Sequence, residues 1–260
     1  MNISLIDSHC HLDMQAYEND LDQVLHDALA VGVKNIITIG IDLPSSKSAV
    51  TIAGRYDQVY ATIGIHPHEA TSCTKSTLAS IEDLAHLEKV VGYGEIGLDY
   101  AKKYSPVDVQ QKAFAAQLQL AKKVNLPVVI HDRDAHEDTM AILRENGPYP
   151  KGGVMHCFSG NLELANKVVE LGFYLSIPGI VTFKNAQDLH NVAQHVDINH
   201  LLLETDGPFL APVPFRGKRN TPDKVMHTAK RVAELRNISL EEVASITTMN
   251  ACNLFNLPSV

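Results

Sequence analysis

Eight short apolar runs, each followed by a longer amphipathic stretch, divide this chain from end to end. The runs are Leu5–Asp7, Asn35–Ile39, Val59–Ile65, Val90–Gly94, Pro127–Ile130, Gly153–Met155, Phe173–Ile177 and Leu201–Glu204. The helical patterns lie near 19–31, 45–56, 75–87, 107–124, 135–145, 161–171, 185–195 and 222–236, with one more near 240–255. Strict alternation requires parallel strands, because each helix returns the chain to the starting side of the sheet. Eight such units in 260 residues predict a (β/α)8 TIM barrel with an additional C-terminal helix. An open doubly wound sheet is the alternative. It expects a Gly-rich phosphate loop after the first strand, where Asp7-Ser8-His9 stands instead. Capping chemistry supports the helix starts. Ser105-Pro106 and Thr221-Pro222 place a hydroxyl before Pro at the first helical position. Asp134 with Glu137, and Ser239 with Glu242, fit a capping residue with Glu three positions on. Gly32, Gly147 and Gly172 sit where helices should stop.

No linker rich in Gly/Ser or Pro interrupts the pattern, so residues 1–260 are read as one domain. The formal net charge of −8 argues against a broad basic face for nucleic acid. It does not exclude an enzyme that acts on nucleic acid through bound metal and a local basic loop. The four cysteines, Cys10, Cys73, Cys157 and Cys252, form neither a Cys-x-x-Cys pair nor a secretory pattern, and read as small buried residues. No basic-then-apolar leader and no apolar run of membrane length is seen. A cytoplasmic protein without membrane attachment or an obligate protein partner is expected.

Side chains able to bind metal recur where these strands end. His9 and His11 are two apart, so on one strand they face the same way. Glu95 follows the fourth run, His131 the fifth, His156 the sixth and Asp206 the eighth. In a barrel those ends surround one opening, where active sites lie. Four imidazoles and two carboxylates exceed the needs of one tetrahedral zinc and suit two divalent ions. Glu95 is the natural bridge, with one oxygen for each. Asp206 can hold an ion and also take a proton from an attacking water.

The motifs Asp7-Ser8-His9-Cys10-His11-Leu12-Asp13, Gly64-Ile65-His66-Pro67-His68 and Gly94-Glu95-Ile96-Gly97-Leu98-Asp99 occur in order. They are followed by His131-Asp132-Arg133-Asp134-Ala135, His156-Cys157-Phe158-Ser159-Gly160 and Glu204-Thr205-Asp206-Gly207-Pro208. Together they resemble the TatD family of metal-dependent deoxyribonucleases, within the amidohydrolase-like barrels, over almost the whole chain. The resemblance implies a divalent-metal site at His9, His11, Glu95, His131, His156 and Asp206. It implies hydrolysis of DNA phosphodiesters, as a 3′–5′ exonuclease on single strands or 3′ ends. Gly207 departs mildly, standing where Ala or Ser is commoner. Magnesium, manganese and zinc all remain open as the metal. The alternative is an amide or ester hydrolase on the same barrel, such as a D-aminoacyl-tRNA deacylase.

The residues around the ligands carry further expectations. His66 ends the third run and is placed to bond a phosphate or move a proton, with a structural role as the alternative. His68, one step farther, reads as structural. Asp7 and Glu204, each two residues before a ligand, are expected to support ligand histidines. Asp99 braces the loop after Glu95 or caps a turn. Arg133 either meets a substrate phosphate or pairs with Asp132 or Asp134. Arg216, Lys218 and Arg219 form a basic run after the eighth strand, for a nucleic-acid backbone or for solvent. Phe158 and Phe209 are read as packing residues, with base stacking as the alternative.

Overall fold

A computed structural model describes residues 3–259. Its strands are β1 Leu5–Cys10, β2 Val33–Ile39, β3 Val59–Ile63, β4 Val90–Asp99, β5 Val128–Arg133, β6 Gly153–Met155, β7 Tyr174–Ile177 and β8 Leu201–Leu203. The helices between them are α1 Leu21–Ala30, α2 Leu43–Arg55, α3 Lys75–Leu84, α4 Val107–Val124, α5 His136–Asn146, α6 Leu162–Glu170 and α7 Gln187–His195. Two more, α8 Val225–Arg236 and α9 Leu240–Phe255, follow β8. The strands lie in sequential order, each parallel to the next. The expected TIM barrel with an extra C-terminal helix is therefore present.

The seam between the last strand and the first is made mostly beyond β8. Cys10 and Gly207 form a parallel bridge. Asp206 N donates to His9 O at 2.9 Å, and His11 N donates to Gly207 O at 2.7 Å. Ser8 Oγ donates to Leu203 O at 3.0 Å. The chain thus nearly closes its barrel with the segments that carry His9, His11 and Asp206.

Two apolar layers hold this arrangement. Ile6, Ile37, Ile39, Val91, Val129, Val154 and Leu202 pack with Ala251, Leu254 and Phe255 of α9 in one buried cluster. Thr248 Oγ1 donates to Ser4 O, and Asn250 Nδ2 to Leu201 O, at the strand starts. α9 therefore stops the barrel floor, opposite the strand ends. The larger cluster joins the strands to the surrounding helices, for example Leu5 and Val33 with Val24, Leu25 and Ala28 of α1.

Several boundaries differ from the sequence reading. β4 runs to Asp99 instead of stopping at Gly94, because its glycines permit close strand contact rather than a turn. A Cβ on Gly94 would lie 2.4 Å from Val129 O, and one on Gly97 2.0 Å from His131 O. Both have positive φ, which L side chains rarely adopt. Longer β1, β4 and β5 put His9, Glu95 and His131 within strands. β3 is shorter, and His66 instead caps a 3₁₀ turn over Pro67–Ser72.

Ser239 caps α9 as expected, its Oγ accepting from Glu242 N at 3.1 Å. Ser105 does not cap α4; its hydroxyl donates to His68 O at 2.8 Å and ties two rim loops together. Thr221 turns its hydroxyl to Asp223, and a 3₁₀ turn at Pro222–Lys224 precedes α8. Asp134 does not cap α5, whose N-cap is Ala135. All four cysteines are free.

Candidate metal centre

β1 delivers His9, with His11 one residue past its end; β4 delivers Glu95 and β5 His131. His156 follows β6 directly, and Asp206 lies three residues past β8. These six side chains, expected from sequence to converge, do so around Glu95. The Glu95 oxygens are divided between two sides. Oε2 lies 3.4 Å from His9 Nε2 and 3.9 Å from His11 Nε2. Oε1 lies 2.7 Å from both His131 Nδ1 and His156 Nε2. Asp206 Oδ1 completes the first side, 3.4 Å from His11 Nε2 and 3.8 Å from His9 Nε2.

The donor set fits divalent metal. His9, His11 and Asp206 can converge on one ion, and so can His9, Glu95 and His156. Burial leaves His9 Nδ1 and Nε2, His11 Nδ1, His156 Nδ1 and Glu204 Oε2 without hydrogen-bond partners. Buried polar atoms without partners are costly and uncommon in folded proteins. Of these atoms His9 Nε2 faces Glu95 Oε2 and Asp206 Oδ1, where a cation would supply its partner.

The charge balance agrees. Burial pushes the Glu95 carboxyl up, but His156, His66 and His131 outweigh it and hold Glu95 well below the usual range. Burial likewise opposes ionisation of Asp206, and His11 and His9 overcome it. His9 is lowered by burial and by His156, whose ring stacks on it at 3.8 Å. Burial disfavours charge on His156 too, yet Glu95 and Glu204 raise it well above an ordinary imidazole. The carboxylates thus demand positive charge at their centre.

His66 reaches the same centre, its Nε2 3.4 Å from Glu95 Oε1, and with Glu95 and His131 it forms a third convergent trio. Its tautomer argues for another role. His68 N donates to His66 Nδ1 at 3.1 Å, so the proton of the neutral ring resides on Nε2. Burial lowers its pKa to about 4, keeping the ring neutral. His66 therefore presents an N–H donor, not a ligand lone pair.

The supporting residues divide. Glu204 lies beside His156: its Oε1 is 3.7 Å from His156 Nδ1 and accepts from Cys157 N at 2.7 Å. Asp7 does not support an imidazole. Its carboxyl accepts from Thr205 N at 2.8 Å and from Thr205 Oγ1 at 2.5 Å, fastening the segment after β8 to β1. Burial pushes it up to about 8. Asp99 does more than cap a turn. Its Oδ1 accepts from Lys102 N, while Oδ2 lies 2.8 Å from His68 Nε2 and 3.3 Å from His131 Nε2. His68, which the sequence reads as structural, holds Asp99 in place; that Asp99 faces His131 is foreshadowed only by its parity with Glu95 along one strand.

Arg133 ends β5 exposed, with no ion pair among the described residues, and Asp132 pairs with His136 instead. The basic run does not act as one group. Arg219 forms a two-pronged pair with Asp20 at 2.9 and 2.6 Å, and Arg216 lies over the Phe183 ring at 4.3 Å. Lys218 is exposed. Phe158 is buried as expected, but Phe209 is 49 % exposed, beside His11. The packing expectation for Phe209 is corrected accordingly. Tyr104, unremarked in the sequence, stands exposed beside His68.

Comparison with known proteins gives a consistent picture. The model of the family described as TatD related DNase matches residues 6–256. An uncharacterized metal-dependent hydrolase of Bacillus subtilis, YabD, is 47 % identical over 97 % of this chain and 99 % of its own length. An uncharacterized metal-dependent hydrolase of Escherichia coli, YcfH, is 42 % identical over 97 % of this chain and 96 % of its own. Among solved structures, the E. coli TatD homolog YjjV superposes with a TM-score of 0.94 at 31 % identity, covering 99 % of this chain and 100 % of that one.

Proposed function

The chain belongs to the TatD-related DNase family, and on that premise we propose that this metal-dependent hydrolase cleaves DNA phosphodiester bonds, removing nucleotides from a 3′ end. The observation that carries the reading is the division of the Glu95 oxygens, Oε2 toward His9 and His11, Oε1 toward His131 and His156. That arrangement suits a pair of ions sharing one carboxylate. When bound, two divalent ions supply Lewis acidity toward phosphoryl oxygens and make water nucleophilic at neutral pH.

The chain's own groups have distinct work. Asp206, held as a carboxylate by His11 and His9, is the base that takes a proton from the attacking water. His66 donates its Nε2–H to a phosphoryl oxygen. His131 is held between Glu95 and Asp99, and His156 between Glu95 and Glu204, so neither ring can turn freely. Hydrolysis adds the water oxygen to phosphorus and breaks the bond to the 3′ oxygen, which leaves with a proton.

The test is digestion of 5′-labelled DNA and RNA strands with magnesium, manganese or zinc, beside the Glu95→Gln variant. A metal-dependent ladder shortening from the 3′ end, absent with Glu95→Gln, is expected. Hydrolysis of a D-aminoacyl ester of tRNA with no cleavage of any strand would replace this reading.

A further inference from the structure

Among the described residues, only two large aromatic side chains are strongly exposed, and both stand on the strand-end rim, Phe209 beside His11 and Tyr104 beside His68. Tyr104 is 69 % exposed and Phe209 49 %. Their rings end one continuous row of ring contacts. Phe209 meets His11, which leads through His9, His156 and His131 to His68, and His68 meets Tyr104. Each aromatic sits at a steep angle to its histidine, at 6.1 Å for Phe209 and 4.7 Å for Tyr104. Such contact anchors a ring while leaving much of it open to solvent.

The backbone beside each ring is unusual. Lys103 precedes Tyr104 at φ 52°, and Leu210 follows Phe209 at φ 54°. Bulky residues pay for left-handed geometry, and strain of this kind gathers at binding sites. The two loops also carry exposed cations within an acidic chain: Lys102 and Lys103 beside Tyr104, Arg216 and Lys218 beyond Phe209. Aromatic platforms with nearby cations are how proteins hold single-stranded nucleic acid, bases on rings and phosphates on charges.

From this arrangement we infer that Tyr104 and Phe209 are stacking platforms for two unpaired nucleobases, one on each side of the scissile phosphate. The inference rests on the nucleic-acid reading above and deepens it. A base can stack on a side chain only after leaving its duplex neighbours. The platforms therefore select single strands and frayed ends over intact duplex, and they require a nucleotide on both sides of the cut.

The experiment compares wild type, Tyr104→Ala and Phe209→Ala on a short oligothymidylate, on the same strand paired with its complement, and on strands carrying one abasic residue on either side of the cut. Wild type should prefer the unpaired strand. Each alanine variant should raise KM roughly five- to hundredfold, with kcat and melting temperature near wild type. Tyr104→Phe and Phe209→Tyr, which keep a ring, should restore KM. An abasic residue should weaken wild type but cost the matching alanine variant nothing more, since the lost stack is the same. Unchanged KM in both alanine variants, or abasic and alanine losses that simply add, would overturn the platforms while leaving DNA cleavage intact. No cleavage of any strand by wild type would overturn both readings together.

Discussion

Asp206 stands at φ 54°, three residues beyond β8, with its backbone N–H given to His9 O. Left-handed geometry is costly for most residues, though Asp tolerates it better than most. Here it aims the carboxylate at His11 and His9. Asp206→Asn keeps the shape and the backbone bonds but removes the carboxylate proposed as the base. Its kcat should fall about 10²–10⁴-fold, while melting of the metal-free protein stays close to wild type. Turnover within a fewfold of wild type at saturating metal would remove Asp206 from that role. At the same scale Arg219 separates from its neighbours. Its pair with Asp20 is already made, so Arg219 supports the fold locally, leaving Arg216 and Lys218 as the cations of that run free of ion pairs among the described residues. Alanine at those two positions should flatten the salt dependence of oligonucleotide binding by up to about 0.7 in log–log slope for each lost phosphate contact. A titration of binding against salt decides it, an unchanged slope making both of them ordinary surface charges.

At the scale of the element, α5 shows a local conflict resolved by one carboxylate. His136 opens α5, where the helix dipole disfavours a cation. Asp132, one turn back and itself buried, lies 2.6 Å from His136 Nδ1 and raises its pKa, against the opposing effect of burial. A histidine raised in the folded state binds its proton more tightly there than when unfolded. The resulting stability is fully present below the unfolded pKa of about 6.5 and is lost as pH rises through the higher folded value. His136 is 38 % exposed, so solvent screening keeps the contribution to about 1 kcal/mol or less. His136→Gln should therefore lower stability below neutrality and match wild type in alkaline solution, as read by denaturant melts across pH. A deficit that grows with pH would contradict the assignment.

At the scale of the molecule, the barrel separates stability from chemistry. The floor is stopped by α9, with Phe255 buried at 2 % exposure, its ring 3.3 Å from a Cβ placed on Gly92. The metal centre occupies the other end. Phe255→Ala should cost about 3–5 kcal/mol of folding stability and leave kcat near wild type below the melting transition. Melting curves beside steady-state rates will show whether the two ends are independent; a large loss of kcat in a folded variant would say they are not. The mouth behaves oppositely. There the buried His9 Nε2 gains a partner when a cation binds, so chelation should lower the melting temperature. With metal at about a hundred times its dissociation constant the shift should be roughly 5–10 °C, and metal-independent melting would contradict a buried divalent site.

The apolar runs and the helical periods between them determined the barrel, because strands buried on both faces and amphipathic faces along helices are properties of neighbouring residues. They also located the side chains that converge at the mouth: a residue just past an apolar run must stand on the strand-end rim once the strands are parallel. Even so, the fourth run reads locally as ending at Gly94, short of Gly97. Only the neighbouring strand β5 shows that they admit Val129 O and His131 O, which lets β4 carry Glu95 inside the sheet. The tertiary structure alone decided what the rim residues do for one another. Which oxygen of Glu95 faces which histidines, the proton on His66 Nε2, the turn of Asp7 toward Thr205 and the pairing of Arg219 with Asp20 all depend on partners far along the chain or on loop geometry. The same holds for Tyr104 and Phe209, which loops bring to the two ends of one row of rings. Loop paths follow no hydrophobic period, so contacts made across the mouth leave no repeating trace in the residues that make them.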